Sequence, residues 1–173
     1  YYKPAIGGLL TGLIGFSFVQ YGVLGGGFEG INSALSGRIG LSLLLLLFVA
    51  KMLATSFTLG SGTSGGLFSP SLYLGSMLGG AMGLIFAQIA PNTVSYPEAY
   101  ALIGMGAFFA SVAKVPLTCI VMIPEMTSDY SIIPAIMLSV MVSYGVSIIF
   151  LGRSSIDTIK LDRKLSTVKS FSK

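Results

Sequence analysis

The stretch Gly60-Ser61-Gly62-Thr63-Ser64-Gly65-Gly66-Leu67-Phe68-Ser69-Pro70 joins two apolar runs and opens the second of them as a helix. Four glycines in its first seven residues leave the backbone nearly bare. Ser69 suits an N-cap, and Pro70 suits the first helical position, where no amide donor is needed. The amides of that first turn, backed by the positive end of the macrodipole, then point outward past Leu67 and Phe68. Partial charges arranged in this way make an anion site. Within a membrane they have an advantage over Lys or Arg, because dipoles replace an anion's water and still release the anion.

Composition puts that site in a bilayer. Of 173 residues, 53% are apolar and 9% charged, and neither His nor Trp occurs. Mean hydropathy is +0.87, far from the balance of a water-soluble domain. Apolar runs cover Pro4 to Leu24, Ile39 to Leu59, Leu67 to Ala90, Ala99 to Met126 and Ser131 to Leu151. Each is near the ~20 residues that a bilayer span requires. Lys114, Val115 and Pro116 cut the fourth run into two pieces too short to cross separately, so a re-entrant pair or broken span is expected there. Small residues recur at helical spacing in Gly8, Gly12 and Gly15 and again in Gly75, Gly79 and Gly83, which lets helices approach closely.

Charge placement sets the orientation. From Arg153 onward six Lys and Arg stand against Asp157 and Asp162, and the positive-inside rule makes the C-terminus cytoplasmic. A basic flank beside a span is the ordinary reason for such a tail, and no aromatic interleaving supports nucleic acid as a partner. The single cysteine, Cys119, lies in an apolar run and says nothing about redox compartment. Tyr1-Tyr2-Lys3 carries no leader-like pattern, and the chain reads as part of a longer polypeptide. No second domain is visible. No cluster of His, Cys and carboxylates calls for a metal, and no cofactor is expected.

Gly65-Gly66-Leu67-Phe68-Ser69-Pro70 resembles the Gly-x-Phe-x-Pro selectivity-filter motif of the CLC chloride channel and proton/chloride exchanger family. Gly104-Met105-Gly106-Ala107-Phe108-Phe109-Ala110, Lys114-Val115-Pro116-Leu117-Thr118, Glu125-Met126-Thr127 and Leu151-Gly152-Arg153-Ser154-Ser155-Ile156 follow in that family's order and spacing. The similarity runs from about Pro4 to about Leu161 and covers the second half of a CLC membrane domain. It implies an all-α polytopic membrane protein with tilted and broken helices, the second inverted repeat of a CLC-type fold without its first helix. Residues 1–152 would be the transmembrane domain, and residues 153–173 the last helix with a basic cytoplasmic tail.

The resemblance also implies a function and a site. The chain would carry chloride and similar monovalent anions across a cell membrane, as a channel or a proton-coupled exchanger. Chloride would be its transported ligand, and the missing N-terminal half of the protein and a second copy in a homodimer its partners. The dimer contact would involve helices near Leu117 to Ile123 and Ile132 to Ile149. In the family the central chloride takes backbone amides from the residues matching Leu67 and Phe68, a Ser hydroxyl from Gly-Ser-Gly-x-Pro and a Tyr hydroxyl from the last helix. Only the first pair is present. The Ser motif and the gating Glu of Gly-x-Glu-Gly-Pro belong to the first half.

Where bacterial relatives read Ser-Ile-Tyr-Thr-x-Lys-Leu, this chain reads Ser155-Ile156-Asp157-Thr158-Ile159-Lys160-Leu161, so that either Asp157 replaces the Tyr or a one-residue deletion aligns it with an acid that follows the Tyr, and both alignments remove the hydroxyl. A carboxylate ~4 Å from chloride would be repelled by ~4 kcal/mol at an effective dielectric of 20, too much for a ligand. Asp157 therefore points away, pairs with Lys160 or Arg153, serves as an inner-mouth charge, or is a solvated helix-end acid. Lys51, inside an apolar span, is expensive to bury and is expected to act structurally, its long stem reaching polar groups. Glu125 is a proton-relay candidate on general grounds, but the family's matching acid has no such part, and a structural role is expected, with Pro124 breaking the helix just before it.

Two other classes compete. Gly62-Thr63-Ser64-Gly65 fits the Gly-x-Ser-Gly pattern of rhomboid-type intramembrane proteases, yet the chain has no His to act as the base, so it is not expected to be an enzyme. A non-transporting assembly or regulatory membrane subunit is compatible with half a transporter. A companion half carrying the two absent motifs distinguishes it from a transporter.

Overall fold

A computed structural model describes residues 2–61, 66–91 and 96–151. These residues form α1 (Tyr2–Ser17), a 3-10 turn (Val19–Tyr21), α2 (Phe28–Leu35), α3 (Leu41–Gly60), α4 (Phe68–Ile89), α5 (Ala99–Ala113), α6 (Pro116–Thr127) and α7 (Ile133–Leu151). Among the described residues, α3, α4 and α7 are long and apolar enough to cross a bilayer, whereas α5 and α6 are shorter apolar helices. The expected all-α membrane architecture is therefore observed.

Helix α4 packs against α2, α3 and α5, and α5 in turn packs on α6 and α7. Its sequence explains why. Gly75, Gly79 and Gly83 let α5 come so close that a Cβ built on them would lie 2.6 Å from the Gly104 carbonyl, 2.1 Å from that of Tyr100 and 2.2 Å from that of Pro97. Gly104 returns the fit, since its own Cβ would fall 2.4 Å from the Gly75 carbonyl. The matching triplet in α1 behaves differently. Gly8 and Gly12 have nothing within 4 Å, and only Gly15 makes room, for Leu24.

The break in the fourth apolar run falls where the sequence puts it. Lys114 takes a left-handed conformation with φ 62°, and its amide closes α5 onto Ala110 at 3.0 Å. Val115, preceding a proline, is pushed out of the helical region, and Pro116 then starts α6 at a position needing no donor. Ending α5 orphans the Ser111 carbonyl, and Ser147 of α7 donates to it at 2.9 Å. Lys114 Nζ donates in turn to Ser147 Oγ, and one turn away Ser143 bonds the Ala107 carbonyl at 2.7 Å. Two serines four apart share one helix face, so α7 is pinned to α5 by polar contacts that lipid does not compete for.

Two expectations are corrected. The first run does not form one span: α1 stops at Ser17, and the chain tightens into the 3-10 turn before reversing at Gly22, φ 63°. Pro124 does not break its helix, because α6 continues to Thr127 and loses only the bond that the proline nitrogen cannot make. Glu125 is consequently held on a helix, exposed, rather than at a break. The eight-residue α2 has no counterpart in the sequence reading.

Candidate functional site

The site grows from the first turn of α4. Leu67 is the residue before the helix, φ −93° and ψ −10°, and Phe68 is the first helical residue. The first backbone bond of the helix runs from the Ser71 amide to the Leu67 carbonyl at 3.1 Å, and Ser71 Oγ donates to the same carbonyl at 2.6 Å. Amides ahead of Ser71 thus have no acceptor inside the helix, and they carry the positive end of its dipole. The helix starts earlier than the expected Ser69 cap. The reason is tertiary: Ser69 does not cap the helix but donates its hydroxyl to the Gly26 carbonyl, which leaves Ser69 and Pro70 inside the first turn.

A cavity of about 430 Å³ opens in front of this turn, lined by Gly66, Phe68, Ser69 and Pro70 and, across from them, by Lys51, Thr11, Thr55 and Thr58. Thr11 and Thr58 face each other across α1 and α3 with 3.1 Å between their hydroxyls. The Phe68 ring meets the Phe109 ring edge-on, 5.0 Å between centroids. Gly66 has nothing within 4 Å of where a Cβ would stand and does not require a left-handed φ.

Lys51 is 2% exposed, and its ammonium donates to the carbonyls of Gly22 at 3.2 Å, Val23 at 2.9 Å and Gly25 at 2.9 Å. It also stands 4.9 Å from the centre of the Tyr73 ring. A cation buried in an apolar span is tolerable only with such a complete set of partners. This agrees with the expected structural role. Tyr73, fully buried, was not singled out by sequence; its hydroxyl donates to Tyr21 O at 3.1 Å, and a long apolar side chain with one polar tip was the available signal. Gly65 and Asp157 lie outside the described residues, as does the whole 152–173 segment. Among the described residues no group of His, Cys, Asp and Glu could hold a metal ion.

The profile of the family described as voltage gated chloride channel matches residues 1–148. The chain belongs to this family. It is 42% identical over 129 residues to a protein named H(+)/Cl(-) exchange transporter ClcA of Yersinia pestis, an alignment covering 74% of this chain and 27% of that protein. The ClcA of Klebsiella pneumoniae is 40% identical over 129 residues, with the same coverage of 74% and 27%. Among solved structures, a slow cyanobacterial Cl-/H+ antiporter superposes with a TM-score of 0.72 at 32% identity, covering 80% of this chain and 32% of that one. The chain thus spans about a quarter to a third of the length of these relatives. Membership in the voltage gated chloride channel family bears out the resemblance carried by the filter motif and the segments after it. These relatives are named as transporters and not as enzymes.

Proposed function

We propose that this chain forms the second half of a membrane domain that exchanges chloride and similar monovalent anions for protons. The observation that carries the reading is the start of α4. The amides of Leu67 and Phe68 precede the first intrahelical bond, made by Ser71, and the turn that they open borders a cavity through Gly66, Phe68, Ser69 and Pro70, in a chain with no Lys or Arg between Lys51 and Lys114. A dipole of this kind holds an anion near the bilayer midplane without trapping it. Exchange is favoured over a channel because the named relatives are exchangers.

The anion ligands on this half are the amides of Leu67 and Phe68, within the filter Gly65, Gly66, Leu67, Phe68, Ser69 and Pro70. A first half supplies the hydroxyl and carboxylate groups that the filter needs. Residues 1–152 are the transmembrane part and 153–173 the last helix and basic tail, on the cytoplasmic face of a cell membrane. A homodimer is supported by exposed apolar residues on two adjacent helices, Leu117 and Val121 on α6 and Leu138 and Val142 on α7. The complete protein, reconstituted into chloride-loaded liposomes, is expected to release chloride and to take up protons against their gradient as it does so. Chloride release that leaves protons unmoved contradicts exchange, and no release contradicts transport.

A further inference from the structure

We infer that Lys51 is a positioning residue for the anion site, setting the first turn of α4 through the glycine loop between the 3-10 turn and α2. The inference rests on the transport reading above and adds to it a residue that never meets the anion.

The loop has no regular structure to hold it. Gly22 and Gly27 both have positive φ, 63° and 75°, and bracket a reversal that only glycine accommodates easily. Lys51, from α3, gathers the carbonyls of Gly22, Val23 and Gly25 on one side. The carbonyl between them and α2, that of Gly26, accepts the Ser69 hydroxyl from the first turn of α4. Tyr73, one turn further along α4, packs beneath the ammonium and bonds the Tyr21 carbonyl at the loop's other end. The result is a continuous path: ammonium, loop backbone, Ser69, and the Leu67 and Phe68 amides next to it.

The ammonium's three donors are taken by three carbonyls, so it has none left for an anion. Its effect on the anion is therefore geometric. Without it, three carbonyls lose their common donor, the loop relaxes, and the Gly26 carbonyl no longer fixes Ser69. A support that only stabilises the fold would lower stability and leave anion preference alone. A support that sets the amides changes affinity and selectivity, because dipoles aimed a fraction of an ångström off hold a small anion poorly.

The test uses the complete protein in liposomes and reads chloride KM, maximal rate and chloride-over-nitrate preference, with unfolding in detergent measured alongside. Lys51→Met is expected to raise KM about tenfold, equivalent to 1.4 kcal/mol, and to blunt the preference. Lys51→Arg, which keeps charge and donors, is expected to restore both to near the wild-type values. Ser69→Ala cuts the path at its far end and is expected to raise KM in the same direction, with the double variant no worse than the larger single one. Wild-type KM and preference in Lys51→Met overturn the inference whatever the protein's stability. If that variant does not insert, Ser69→Ala decides, and an unchanged KM there overturns it too. A wild type that carries no chloride overturns the transport reading itself, a result distinct from an active wild type with indifferent variants.

Discussion

The ring of Phe68 stands edge-on to that of Phe109, centroids 5.0 Å apart and planes at 84°, so the residue that opens α4 is steadied by α5 four residues before α5 ends at Ala113. Edge contacts of this kind add about 0.5–1.5 kcal/mol to the area that they bury. Phe109→Leu keeps an apolar side chain but removes the edge that stops the Phe68 ring. The variant is expected to lose about 1 kcal/mol in detergent unfolding and several-fold in chloride turnover. Full turnover at reduced stability would mean that the Phe68 ring does not border the anion path.

The contact between α4 and α5 makes a sharper prediction about stability. A methyl on Gly79 would lie 2.1 Å from the Tyr100 carbonyl, and backbone cannot swing aside as a side-chain tip does. Gly79→Ala is expected to cost at least the about 1–3 kcal/mol typical of overpacking. Gly8→Ala, inside α1 and with nothing among the described residues within 4 Å, is expected to be stabilising by up to about 1 kcal/mol. Thermal unfolding of the two variants side by side checks the difference.

Gly66→Val separates folding from transport. Among the described residues nothing stands within 4 Å of where a Cβ would lie, so insertion and unfolding are expected to match wild type. Flux is expected to fall severely, because the branched side chain fills the side from which an anion reaches the Leu67 and Phe68 amides. Normal flux in proteoliposomes would count against the loop as a filter.

Asp157 carries a prediction from sequence alone. Losing a hydroxyl donor to a charged ligand removes about 1–3 kcal/mol, and a nearby acid adds repulsion. Asp157→Tyr is expected to tighten chloride binding roughly tenfold in a calorimetric titration. Equal affinities would place this residue away from the ion path.

What the sequence reveals here follows the range of the forces involved. The break at Lys114-Val115-Pro116 was legible because a proline restricts both itself and the residue before it. The extents of α3, α4 and α7 followed from apolar runs of bilayer length. The start of α4 differs from the expected one because the Ser69 hydroxyl has two possible partners, the amides of its own helix, from which it would accept, or the carbonyl of Gly26 some forty residues earlier, to which it donates, and only the fold brings the second within reach. Both glycine triplets recur at helical spacing, yet only that of α4 meets a partner helix among the described residues, since spacing marks a face without saying what covers it. The short α2 and the loop before it carry too few residues to show a period. Lys51 was readable as a structural cation, but its three carbonyl partners come from backbone, which no side-chain pattern encodes.

The central claim is that backbone dipoles, not a cationic side chain, hold the anion. A crystal of the complete protein grown in bromide tests it through the anomalous signal. The account predicts a peak within hydrogen-bond distance of the Leu67 and Phe68 amides and none beside the Lys51 ammonium, whose donors are already engaged. A peak at Lys51 with nothing at the start of α4 would contradict it.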